Sequence, residues 1–96
     1  MLHMSNISEK LIKEIVAKAA TANGVSYSTI ETTTAVDSTG SETVLVTIVL
    51  TPGSSEAIRG EPSARTVSEV IKGVADTGDE RVPIVRYEEK LATSRS

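Results

Sequence analysis

The chain has 96 residues, a formal net charge of −3, no Cys, Trp or Phe, two Tyr and one His. That length is one domain, and the missing Cys excludes disulfides, thiolate nucleophiles and sulfur-ligated metals. Two aromatics do not make a stacking platform for single strands, and a lone His3 supplies neither a His metal cluster nor a Ser-His-Asp triad.

Residues 1–4 read as a start region or an expression remnant, with Met4 an alternative start. A single α+β domain is expected over residues 5–88, and a frayed tail over 89–96. The first helix is expected over residues 7–22. Ile7, Leu11, Ile12, Ile15, Val16, Ala19 and Ala20 recur at helical spacing. Asn6 is the expected N-cap, with Glu9 as its capping-box partner, and Asn23-Gly24 supplies the stop. Glu9–Lys13, Lys10–Glu14 and Glu14–Lys18 have the spacing of ion pairs on the outer face.

From Val25 to Val36 the Ser, Thr and β-branched residues favour a strand, with a bulge or face swap near Ile30 where the alternation slips. Asp37 to Ser41 reads as a hairpin loop with Gly40 at positive φ. The next strand, expected over residues 43–51, carries Val44, Val46, Ile48 and Leu50 on one apolar face and Leu45 and Val49 on the other. Apolar residues on both faces suit a central strand. Pro52-Gly53 ends it, and residues 54–60 have the length of a short helical turn. A second long helix opens at Pro62 or Ser63, with Ala64, Val67, Val70, Ile71, Val74 and Ala75 on one stripe. Gly73 within that helix suits close packing on a strand. A third strand follows over residues 82–87, and Pro83 assigns it to an edge or to a start outside the ladder. Its neighbour is either of the other two strands. The result is a two-layer sandwich, ordered α-β-β-(short α)-α-β, with helices on one face of a small mixed three-stranded sheet.

The most distinctive local segment is Arg59-Gly60-Glu61-Pro62-Ser63-Ala64-Arg65-Thr66. A helix N-terminus flanked by two guanidinium groups can hold a phosphate or carboxylate. Arg59, Gly60, Ser63 and Arg65 are therefore the candidate anion-binding residues. They equally fit a structural role, in which Gly60 and Pro62 shape the turn, Ser63 caps, and the arginines pair with Glu56, Glu61 or Glu69. Asp76, Asp79 and Glu80 lack the spacing of a Ca²⁺ loop and read as a solvated turn paired to Arg81 or Lys72, so no metal or cofactor is expected. Ser and Thr make up 24 residues. Without a base beside them they serve β-propensity rather than nucleophilic catalysis, and no enzyme is expected. Tyr27 and Tyr87 are suited to covering the core edge or anchoring a partner.

Over residues 7–87 the element order resembles the type II KH-like arrangement. In single-strand binders of that family a Gly-X-X-Gly loop between the two middle helices grips the nucleic-acid backbone. Gly60-Glu61-Pro62-Ser63 stands in that place, with Gly60 matching the first glycine and Ser63 replacing the second. The resemblance implies single-stranded nucleic-acid binding through residues 59–66. The acidic balance argues against general nucleic-acid affinity. The longest apolar run, residues 44–50, is too short for a bilayer, and a Cys-free chain without a secretory leader is expected in the cytoplasm. Pro83 blunts one sheet edge, and only Glu31 or Glu42 guards the other. The leading expectation is thus a non-catalytic domain that binds protein, including a second copy through a sheet edge.

Overall fold

The computed structural model describes residues 7–89. Its elements are α1 (Glu9–Ala22), β1 (Tyr27–Val36), β2 (Glu42–Leu50), α2 (Glu61–Asp76) and β3 (Val82–Glu89), an α+β fold with the mixed sheet ordered β1-β2-β3. Asn6, residues 1–4 and the tail beyond Glu89 lie outside the described residues.

β2 is the centre of the sheet because it alone is apolar on both faces. It pairs antiparallel with β1 and parallel with β3, which fixes the third strand beside the second rather than the first. The 16-residue α2 supplies the crossover that a parallel pair requires. Val44, Val46, Ile48 and Leu50 bury one face of β2 with Ile30 of β1. Val85 and Tyr87 of β3 pack partly buried against the same core. Ile12, Val16, Ala19 and Ala20 of α1, Val70 of α2, and Val25 and Ile58 close it from the other side. Each fully buried Val, Ile or Leu among them contributes about 1.5–3 kcal/mol relative to exposure. α1 contacts β1 and α2, and α2 contacts β3, so both helices serve the same face.

Several boundaries move for identifiable reasons. α1 starts at Glu9 with Ser8 as its cap, the Ser8 Oγ accepting the Leu11 amide at 3.1 Å. Ile7 stays outside the helix because its amide donates to Asp79 Oδ2 (3.0 Å) and its carbonyl accepts from Arg81 Nη2 (3.2 Å). The irregularity in β1 falls between Tyr27 and Thr29, whereas Ile30 pairs regularly with Ile48. Residues 54–60 form successive turns instead of a short helix, with Ala57 and Arg59 donating to the carbonyls of Ser54 and Glu56. Six residues between positive-φ Gly53 and Gly60 are too few to offset helix nucleation. β3 runs on through Glu88 to Glu89, where the Glu89 carboxylate accepts the Gly53 amide (2.7 Å) and the Ser55 amide (3.3 Å).

Gly73 does allow close packing, but against α1 rather than a strand: a Cβ there would lie 2.7 Å from Ile15 Cγ2. The hairpin forms as its sequence indicates. Asp37 Oδ1 accepts from the Thr39 hydroxyl (2.6 Å) and the Thr39 and Ser41 amides, and Gly40 has φ 87°.

Candidate interaction surface

Arg59 and Gly60 lie in the turn before α2, while Ser63 and Arg65 lie in its opening turns. Most of their polar atoms are already used within the chain. Gly60 is the N-cap residue, with φ 82° and no side-chain cap. The Ser63 hydroxyl donates to the Gly60 carbonyl (3.0 Å) rather than capping, and the Ser63 amide donates to Ile58 (3.0 Å). Pro62 has no amide to offer. Arg65 meets Glu61 across one helical turn at 3.5 Å, an exposed pair worth well under about 1 kcal/mol. Arg59 is exposed, and among the described residues no ion pair engages it. The loop thus presents one free guanidinium beside a carboxylate.

The acidic turn after α2 does structural work. Asp76 pairs with Lys72 at 3.6 Å. Asp79 pairs with Arg81 as the sequence suggests, but it is buried rather than solvated. Its Oδ1 accepts from Arg81 Nε (3.0 Å) and its Oδ2 from Arg81 Nη2 (2.6 Å) and the Ile7 amide. Those hydrogen bonds hold the carboxyl down at about 2. No group of three His, Asp or Glu is gathered at metal-binding distance among the described residues. No described helix is long and apolar enough to cross a membrane.

The two tyrosines occupy the core edge on opposite outer strands, separated by β2. The half-buried Tyr87 donates its hydroxyl to the Ser63 carbonyl (2.9 Å), and burial pushes its ionisation upward. Tyr27 instead borders an open groove of about 600 Å³ between α1 and β1. Ala17, Tyr27 and Ile30 give the groove apolar lining, and Lys10, Lys13 and Glu14 give it charge. The ion pairs expected along α1 do not form, so no described acid engages Lys10 or Lys13. Comparison with protein-family models, curated proteins and solved structures finds no match.

What this surface can do therefore follows from its own chemistry. β1 is a ten-residue edge without proline, and Glu31 is its only charge. An edge strand carries unpaired amides and carbonyls that template another strand. The groove beside it receives alternate side chains of whatever pairs there. The sequence shows the unguarded edge, but the groove escapes it. Its one local signal is Lys10, Lys13, Glu14 and Ala17 at spacings of three, four and seven, with a small residue where a larger one would fill the gap.

Proposed function

We propose that the chain is a small non-catalytic cytoplasmic domain that acts by protein–protein interaction, accepting an extended protein segment at the β1 edge. The observation that carries this reading is the long, proline-free edge flanked by a groove whose lysines have no ion-pair partner among the described residues. A second copy pairing β1 with β1 is the homodimeric form of the same contact. Cys-free composition supports the cytoplasmic part of the reading.

Selection of displayed random peptides on the isotope-labelled protein, followed by amide NMR, tests it. Enriched peptides, or rising protein concentration, are expected to shift and protect the amides of residues 27–36. Thr34→Lys, which puts a charge on that edge, should remove the effect without unfolding the protein. If neither a peptide nor a second copy perturbs those amides, the edge is not the binding site.

The alternative is KH-like single-strand binding through residues 59–66, supported by the exposed Arg59, which no ion pair engages among the described residues, beside the tight Gly60 turn. Mixed single-stranded oligonucleotides at low salt are expected to leave residues 59–66 unshifted. Shifts there that salt reverses and Arg59→Glu abolishes would transfer the function to this loop.

A further inference from the structure

We infer that the sheet face opposite α1 and α2 is a contact between two copies of this chain, stacked about a two-fold axis along β2 that sets Glu31 of each against Arg86 of the other. This does not rest on the β1-edge reading, because stacking leaves both the edge and the groove open.

The pairing register fixes what this face presents. Thr43, Leu45, Thr47 and Val49 of β2 point away from the core side of Val44, Val46, Ile48 and Leu50. Each sits in a row across the sheet: Ala35–Thr43–Val82, Thr33–Leu45–Ile84, Glu31–Thr47–Arg86 and Thr29–Val49–Glu88. The first two rows expose apolar surface, with Val82 and Ile84 at 59% and 50% exposure beside a half-buried Leu45. They stand on a β3 that also carries Arg86, Glu88 and Glu89.

The third row carries opposite charges on its two outer strands. Glu31 and Arg86 are both exposed, and no ion pair engages either among the described residues. Arg86 instead lies across the sheet and donates from Nε to Thr47 Oγ1 at 3.1 Å. In a face-to-face stack, an axis along β2 places β1 of one copy over β3 of the other. Every row then meets itself reversed, so Arg86 faces Glu31 at both ends and Leu45 faces Leu45. An axis across the strands through this row would instead set Glu31 on Glu31 and Arg86 on Arg86, which like charges disfavour. Charge therefore selects the axis. The row also crosses the strands near their midpoints, where the rotation of about 30° between stacked sheets displaces residues least. A face three strands wide falls below the ~800 Å² per partner of standard interfaces, so dissociation in the micromolar range or weaker is expected.

Sedimentation equilibrium over a wide concentration range reads the association. Glu31→Arg and Arg86→Glu are each expected to weaken it at least tenfold, and the double exchange to restore it, with unchanged thermal unfolding as the fold control. Because the chain has no Cys, Leu45→Cys provides a second readout. A short bis-maleimide matched to the ~10 Å separation of stacked sheets should link two copies through Leu45→Cys but not through Thr34→Cys. A protein that stays monomeric throughout overturns the inference, as does a double exchange that fails to restore association. A dimer sensitive to Thr34→Lys but indifferent to Glu31→Arg overturns it while supporting the edge contact.

Discussion

Asp79→Ala is expected to cost about 3–5 kcal/mol, a large share of the stability of a domain this size. The carboxylate has no exposed side-chain surface, and Arg81 beside it is nearly as enclosed. Removing the acid leaves a guanidinium in a poorly solvated site and strands the Ile7 amide that it accepts. The same contact joins the entry of α1 to the α2–β3 turn, so its loss also frees Ile7 from the core it packs against. Urea unfolding of the wild type and the variant measures the cost. A loss below about 1 kcal/mol would mean the pair behaves as an ordinary surface bridge.

Asp79 also sets an acid limit with a definite sign. Its carboxyl is lowered from 3.8 to about 2 in the fold, chiefly by the Arg81 hydrogen bonds, so the folded state binds its proton less readily than the unfolded chain. The stabilisation, about 2 kcal/mol, is complete above the unfolded value near 4. It falls away as pH drops toward 2. Asp37 and Glu89 are lowered too, by the Thr39 and Ser55 hydrogen bonds respectively, and act in the same direction. Asp79→Asn should therefore flatten the wild-type decline between about pH 4 and pH 2 without abolishing it. Identical pH slopes in the two proteins would remove Asp79 from this account.

That buried pair also marks the boundary of what the sequence makes legible. The α1 stripe, the Asp37–Gly40 hairpin and the two-sided apolar β2 are local patterns, and local patterns read directly. The central place of β2 follows from Leu45 and Val49 being apolar behind a fully apolar face. The start of α1 does not, because Ile7 is excluded from the helix by partners 72 and 74 positions away. For the same reason Asp79 reads as a solvated turn residue when its environment is not. The position of β3 depends on a crossover that local sequence leaves open. Once its register against β2 is known, Val82, Ile84 and Arg86 fall on the face opposite α1 and α2, where no periodicity within a single strand could have assigned them. The 59–66 segment is the converse case. Its residues look free in sequence, yet Ser63 and Arg65 are occupied by Gly60, Ile58 and Glu61.

Val46 and Val49 give the sharpest separation of the two sheet faces. Both lie on β2, both are Val, and both are fully buried. Val46 belongs to the core shared with the helices, and Val49 faces the other way. Truncating either to Ala removes the same two carbons, about 1.6 kcal/mol of transfer free energy at ~0.8 kcal/mol each. Val46→Ala adds a cavity enclosed by both layers and is expected to cost about 2–4 kcal/mol. Val49→Ala vacates a site covered by side chains of the sheet's own outer face rather than by a second packed layer, so its neighbours can relax into the space and the cost should be only about 1–2 kcal/mol. Unfolding at low protein concentration measures that difference. Repeating it at concentrations where copies associate tests the stacking, because a covered face turns the Val49 site into an enclosed one. The gap between the two variants should then narrow. A gap that stays constant at every concentration would leave this face bare, and equal costs at low concentration would mean that it is never open at all.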